Sequence, residues 1–433
     1  MSGLARYFKK RGCVVCGYDK TSTPLTAALM NEGIPIVYQD VEDNIPITFH
    51  ENDSHTLIIY TPAIPKTSTI LNYFILKSFT LKKRSEVLGI ISRGMFTIAV
   101  AGTHGKTTTS SIIAHVLKDS GYDCSAFLGG IATNYNTNVL FGDNNTMVVE
   151  ADEYDRSFLT LHPDIAIVTS MDADHLDIYG DEKHLVESFR KFVSQIKPGG
   201  KLIYQKGLGL SGGQTYAAGV VADIQAVNVQ IKDSSFFFDF KNRNGVIENI
   251  QFGLPGLYNI ENAVAAIEVA LLLGIPEDKI RIALSNFKGV KRRFEYIVKN
   301  QNHIYVDDYA HHPEELRACI QAIKSLYPNK KLTTIFQPHL FTRTRDFSDG
   351  FAEVLSMTDK LIMLDIYPAR ELPIEGVNSE MILNKVNIAD KQIRNKQETI
   401  EYVRHKKPEL LLTVGAGDID TLIEPLKKVL QDV

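Results

Sequence analysis

The chain has 433 residues, 23% of them charged and 44% hydrophobic, with a formal net charge of -4. That balance supplies no broad attraction for nucleic acid or for an anionic membrane, and the length suits about three domains, each able to bury its own core. The four cysteines, an N-terminus with no signal-peptide pattern and an apolar stretch at 263–275 that is interrupted by Glu268 and too short to span a bilayer together predict a cytoplasmic chain.

Over residues 1–86 helix and strand signals alternate. A helix from about Ser2, a strand over 13–17, a helix after Thr23 and strands near 36–39 and 56–61 predict a small α/β unit that opens on a helix. Cys13-Val14-Val15-Cys16 has redox or zinc spacing, but its valines belong to a strand, not to a helix start that would lower a thiol pKa. Cys124 and Cys319 stand alone, so no second pair completes a metal set. Lys82-Lys83-Arg84 reads as a solvated face leading to the next domain, the alternative being that Arg84 reaches an anionic ligand.

At residues 97–101 an apolar strand runs into Gly102-Thr103-His104-Gly105-Lys106-Thr107-Thr108-Thr109 and then a helix. Glycines there turn backbone N–H groups toward a phosphate at a helix N-terminus, Lys106 supplies charge for the β/γ-phosphates, and Thr107 offers a hydroxyl to Mg²⁺. The pattern implies ATP or GTP chemistry. Val100 stands where the general phosphate loop has its first glycine, so this is the compact form of the loop.

Glu150 ends a strand over 146–150, where a carboxylate faces the ligand crevice of an α/β sheet, and we assign it to Mg²⁺. Of the acids that follow, Asp152, Glu153 and Asp155, one or two read as solvated loop residues. His175, after a strand over 165–169, is either a further metal ligand or structural. A long helix follows Lys183. Residues 201–253 turn strand-rich, and Phe236-Phe237-Phe238-Asp239-Phe240 before Asn244-Gly245 predicts hairpin core rather than a base-stacking platform. In the helix over 259–273, Asn259 and Asn262 lie on one face and offer the donor and acceptor pair of an adenine edge, with N-capping by Asn259 the competing reading. Another helix is predicted near 278–287.

Beyond Gly289 the alternation restarts: strands over 304–306, 332–336, 360–364 and 410–414, a helix over 313–326 and another after Phe347 predict a third α/β unit. Arg293 suits a phosphate or carboxylate clamp. Asp307-Asp308-Tyr309-Ala310-His311-His312-Pro313 and Gln337-Pro338-His339-Leu340-Phe341-Thr342-Arg343 both follow strands at their carboxyl ends and should line one crevice. A zinc reading of His311-His312 is set aside, since no third ligand sits at a customary spacing and Pro313 marks a helix entry.

Taken together, the loop at 102–109, Glu150-Ala151-Asp152-Glu153-Tyr154-Asp155, Asp172-Ala173-Asp174-His175-Leu176-Asp177, Asp307 to Pro313, and Gly415-Ala416-Gly417-Asp418-Ile419 resemble the Mur ligase family, in its alanine-adding branch, over nearly the whole chain. The resemblance implies an α/β protein of three domains: a Rossmann-like UDP-sugar domain (1–86), a central phosphate-loop ATPase (87–288) and a C-terminal Rossmann-like amino-acid domain (289–433). It implies ATP with Mg²⁺, and UDP-N-acetylmuramate and L-alanine as the small-molecule substrates. Gly102, Thr103, His104, Gly105, Lys106, Thr107 and Thr108 would cradle ATP, with Asn259, Asn262, Arg293 and Asp308 around its nucleoside and phosphates. Thr107, Glu150 and His175 would serve the metal; Lys106, Glu150, His175 and Arg293 would carry the chemistry; Tyr309, His339 and Arg343 would surround alanine.

Lys191 lies near the place of a carbamylated lysine found in other branches and reads here as a surface residue. The family usually has a strand and a glycine-rich loop before Met-Ser-Gly-Leu-Ala, so the N-terminal Rossmann-like unit is expected to be incomplete and to bind the UDP-sugar weakly. A tripeptide-recycling ligase and a nucleotide-binding protein impaired in ligation are the alternatives.

Overall fold

The computed structural model describes all residues except 53–54, 173–178, 180, 233–234, 370 and 432–433. The N-terminal region comprises α1 (Ser2–Lys10), β1 (Gly17–Tyr18), α2 (Pro24–Asn31), β2 (Ile36–Val37), β3 (Leu57–Tyr60), α3 (Thr69–Leu76), β4 (Thr80–Lys83) and α4 (Arg84–Arg93). Its strands make two separate two-stranded parallel sheets, β1 with β2 and β3 with β4. A capping box between Thr23 and Thr26, with Pro24 in the first turn, starts α2 where the sequence places it. The strand expected over 13–17 shrinks to Gly17–Tyr18, because Cys13 and Val14 are exposed and bury no face. Lys82 and Lys83 are half-buried in β4 and Arg84 opens α4, so this stretch is no solvated linker; the apolar α3, packed through Phe74 on Phe79 and Ile45, makes β3–α3–β4 a crossover unit. Helix α1 reaches both ways, Arg6 pairing with Glu32 at 2.6 Å and Tyr7 packing on Phe127 with ring centroids 5.7 Å apart.

The central region contains β5 (Phe96–Ala101), α5 (Lys106–Asp119), β6 (Ser125–Ala132), β7 (Thr137–Leu140), β8 (Thr146–Ala151), β9 (Ile165–Val168), α6 (Glu182–Ser194), β10 (Lys201–Gln205), β11 (Gln214–Ala218), β12 (Ile224–Lys232), β13 (Ser235–Asn242), β14 (Gly245–Phe252), α7 (Leu257–Leu272) and α8 (Glu277–Asn286). They build one sheet in the order β14-β13-β12-β11-β10-β9-β5-β8-β6-β7. From β12 through β6 neighbouring strands are parallel, and β7, β13 and β14 are antiparallel additions. The unbroken apolar run of β5 follows from burial on both faces: Ile98 and Val100 join the core with α5 and α7, while Ala99 and Ala101 join Val87, Leu185 and Phe189 on the other side. In β13, Phe236, Phe238 and Phe240 are buried, as hairpin core requires.

The C-terminal region holds β15 (Glu295–Lys299), β16 (Ile304–Asp308), α9 (Pro313–Leu326), β17 (Leu332–Phe336), α10 (Phe341–Asp346), α11 (Ser348–Leu355), β18 (Lys360–Met363), α12 (Ser379–Leu383), β19 (Lys391–Ile393), α13 (Lys396–Lys406), β20 (Leu410–Val414) and α14 (Ile423–Gln431). The sheet order is β15-β16-β20-β17-β18-β19, parallel except at β15. Among the described residues no helix is long and apolar enough to cross a membrane.

Candidate active site

Successive strands β8 and β9 lie on opposite sides of β5, so the loops leaving their carboxyl ends part above the segment between β5 and α5. Gly102 and Gly105 take φ of +141° and +81° in that segment, and Gly105 caps α5. A Cβ on Gly102 would stand 2.1 Å from the Thr169 hydroxyl, and one on Gly105 would stand 2.9 Å from Asn262 Oδ1. Thr103 shares a hydrogen bond with Ser170 Oγ at 2.8 Å and accepts the Asp172 N–H at 3.0 Å, while the His104 N–H donates to Ser170 Oγ at 2.7 Å. The segment after β9 thus clamps the phosphate loop from below, a role that residue type alone did not disclose for Thr169 and Ser170. Thr107 and Thr108 lie buried in the first turn of α5.

Lys106 Nζ donates to Gly102 O at 2.6 Å and sits 2.8 Å from Glu153 Oε2. Burial disfavours the ammonium, but Glu153, Glu150 and Asp152 outweigh it and hold Lys106 charged. Glu153 itself is buried, its carboxyl pushed up by desolvation against the pull of Lys106. Phe158, packed against Phe189 and Phe192 with centroids 5.2 Å from each, fixes the segment that carries it. Among the three acids after Glu150, Glu153 is therefore no solvated loop residue; nothing in its spacing separates it from Asp152, because its distinction is the ion pair with Lys106.

Glu150 sits half-buried at the end of β8, one carboxylate oxygen accepting the Gly129 N–H at 2.9 Å. Gly129 and Gly130 interrupt the β6–β7 ladder, and a Cβ on Gly129 would lie 2.2 Å from Glu150 Oε2, while one on Gly130 would lie 3.1 Å from the Thr107 methyl. The side chains of Glu150 and Thr107 are thus packed over bare backbone. Gly129→Ala should therefore keep the fold at a cost of about 1–3 kcal/mol yet displace the Glu150 carboxylate. Calorimetric titration of nucleotide with and without Mg²⁺ should show the metal-dependent gain in affinity largely gone; a full Mg²⁺ response would show that Glu150 is no ligand.

Asn262 Oδ1 accepts from Thr109 Oγ1 at 2.9 Å, and Asn259 donates to Pro255 O at 2.7 Å. Gly256, at φ +96°, is the N-cap of α7, so Asn259 in the first turn is not the cap. His175 lies outside the described residues, and Lys191 is exposed on α6.

Parallel strands β16, β20 and β17 bring the two predicted C-terminal clusters to one edge, where the His311 and His339 rings lie 6.0 Å apart. Asp308 is buried and accepts the Phe294 and Ala310 N–H groups at 2.7 Å each, so its carboxylate organises the loops bearing Arg293 and Tyr309. Arg292 is tied to Asp307 at 3.0 Å and to Gly415 O at 2.6 Å, and both it and Arg293 lie over the Tyr309 ring, at 5.2 and 5.1 Å. His311 Nδ1 is 3.0 Å from Tyr309 O, and His312 caps α9 by accepting the Glu314 N–H, which gives the histidine pair local structural work. Burial, then the charges of His311 and Arg343, bring His339 down to about 4, so it is neutral at pH 7. A left-handed turn at Leu340 (φ +69°) leads into α10, whose first turn is anchored by Thr342 N–H on Glu371 at 3.0 Å and carries Arg343.

Three family profiles match the chain: "Mur ligase family, catalytic domain" over residues 1–95, "Mur ligase middle domain" over 100–270 and "Mur ligase, glutamate ligase domain" over 292–417. A UDP-N-acetylmuramate–L-alanine ligase of Flavobacterium johnsoniae is 47% identical over 432 residues, covering 100% of this chain and 96% of the relative. One from Porphyromonas gingivalis is 44% identical over 441 residues, with the same coverage of 100% and 96%. The crystal structure of the UDP-N-acetylmuramate-alanine ligase MurC of Thermotoga maritima superposes with a TM-score of 0.84 at 26% identity, covering 100% of this chain and 96% of that one. A murein peptide ligase of Psychrobacter arcticus shares the fold at a TM-score of 0.70, 22% identity and coverage of 100% and 97%.

Proposed function

The chain belongs to the Mur ligase family, and on that premise we propose that it is an ATP-dependent amide-forming ligase that joins L-alanine to the carboxylate of UDP-N-acetylmuramate in peptidoglycan precursor synthesis. Residues 1–86 would take the UDP-sugar, 87–288 ATP and 289–433 the amino acid. The observation that carries the reading is the junction of a charged phosphate-loop lysine with the strand edge bearing Tyr309, His339 and Arg343, the two being linked by His104 and Glu315 at 3.1 Å.

In the proposed reaction a muramate carboxylate oxygen attacks the γ-phosphorus of ATP and ADP departs. The alanine amine then adds to the acyl phosphate carbon, gives up a proton, and the C–O bond to phosphate breaks. Lys106 and Arg293 neutralise the negative charge that accumulates on transferred oxygens, where fixed charges in a water-poor cleft act most strongly. Thr107 and Glu150 present hard oxygen donors of the kind Mg²⁺ takes, so the residues fit the metal, with His175 added from the resemblance. When bound there, Mg²⁺ supplies Lewis-acid stabilisation of phosphate oxygens. Asn259, Asn262 and Asp308 would border the nucleoside, and Arg343 would pair with the alanine carboxylate through its planar fork. Gly102, Thr103, His104, Gly105 and Thr108 shape the loop around the phosphates.

The test is phosphate release by the full chain with ATP, Mg²⁺, UDP-N-acetylmuramate and L-alanine. We expect one ADP and one phosphate per amide formed, with the product identified by mass. Release that ignores alanine, or that prefers the L-alanyl-γ-D-glutamyl-diaminopimelate tripeptide, would overturn the assignment.

A further inference from the structure

One carboxylate spans the boundary between the central and C-terminal regions. Glu315, in the first turn of α9, has Oε1 at 3.1 Å from His104 Nδ1 in the phosphate loop. Its other oxygen accepts the backbone N–H groups of His311 at 3.0 Å and His312 at 3.3 Å, two and three residues after Tyr309. Burial works against the Glu315 charge, yet His311, His104 and Arg293 hold its carboxyl well below the usual range. An ionised carboxylate only accepts hydrogen bonds, so His104 must donate from Nδ1, which fixes its tautomer. On the far side His104 Nε2 is 3.6 Å from Asp172 Oδ2, and its backbone N–H is held by Ser170. The imidazole is therefore gripped by the loop that holds nucleotide and aimed at the segment that holds the amino acid.

We propose that His104 and Glu315 act as positioning residues: a strut through which the phosphate loop sets the place of the 309–312 segment, and hence of the alanine-binding residues, relative to the nucleotide. The inference rests on the function proposed above. It predicts that a change in the phosphate loop alters the use of a substrate that the loop does not touch. A phosphate ligand would do the opposite and alter the use of ATP.

The experiment measures apparent KM for L-alanine and for ATP in the full chain, in His104→Ala, His104→Asn, Glu315→Gln and the His104→Ala/Glu315→Gln double variant. Losing a hydrogen bond to a charged group should raise the alanine KM about 10-fold, with the ATP KM, which the same loop serves, raised by less. Asparagine offers an N–H close to the position of Nδ1, so His104→Asn should recover most of the loss. The double variant should be no worse than the more impaired single one, the signature of a shared interaction. An unchanged alanine KM, an equal rise in the ATP KM, failure of asparagine to rescue, or additive losses would each overturn the strut.

A second readout needs no turnover. Amide hydrogen exchange at His311 and His312 should quicken in His104→Ala and return toward wild type in His104→Asn; unaltered exchange overturns the proposal. Should wild type release no alanine-dependent phosphate, the proposed function fails, and the exchange comparison still decides whether the strut exists.

Discussion

Lys106→Ala should lose ligation and stability together. Removing a preorganised charge from the phosphate site lowers turnover by about 10²–10³-fold or more. The same substitution strips the buried Glu153 of a counter-charge held at 2.8 Å, and breaking a buried ion pair from one side costs about 3–5 kcal/mol. With burial left to push its carboxyl up, Glu153 in the folded variant binds a proton more tightly than in the unfolded chain. Its contribution therefore favours folding at pH below the unfolded carboxyl's value and is lost as pH rises, so the deficit should be large at pH 7 and small near pH 4. Adding Glu153→Gln should restore the urea midpoint at pH 7 while leaving the enzyme inactive. Wild-type turnover in Lys106→Ala would remove the lysine from the chemistry, and a pH-independent stability loss would remove Glu153 as its cause.

Arg343→Ala should chiefly raise the requirement for alanine. A charge-assisted bond to a carboxylate contributes about 1.5–3 kcal/mol, which corresponds to roughly a 10- to 100-fold rise in the alanine KM. Phosphate release at saturating alanine should recover substantially, because the residue is proposed to bind the amino acid in ground and transition states alike. His339 reports the same change independently: without the repulsion of Arg343 its imidazole should titrate higher than about 4, measurable by NMR. An alanine KM equal to that of wild type would make Arg343 structural.

What the sequence disclosed was what local chemistry determines. The strand–loop–helix order around Lys106, the helix after Thr23 and the carboxylate at the end of β8 are written in neighbouring residues, and the structure has each of them in place. Both histidine-bearing clusters follow strands at their carboxyl ends, which places them at one edge of a parallel sheet, and there they lie, although β20 separates β16 from β17. What stayed hidden depends on distant packing. Glu153 is distinguished from Asp152 by its burial against Lys106, and Thr169 and Ser170 by their closeness to Gly102. The β6–β7 hairpin was missed because Gly129 and Gly130 break the alternation, and they break it to make room for Glu150 and Thr107. The Asn259 side chain suits a cap, but Gly256 takes the capping position and leaves the amide to Pro255.

In the C-terminal sheet β20 lies between β16 and β17 and is bonded to both. During synthesis this middle strand leaves the ribosome after every other strand of its sheet, so translation order and pairing order disagree. The nascent chain can complete the central sheet while β16 and β17 still wait with unsatisfied edges, the kind of surface that recruits chaperones, proteases or a second copy. A product stopped before residue 410 would carry an intact central sheet beside a C-terminal sheet with its centre missing. Formation of the edge that carries His311 and His339 is thereby tied to the synthesis of residues 410–414.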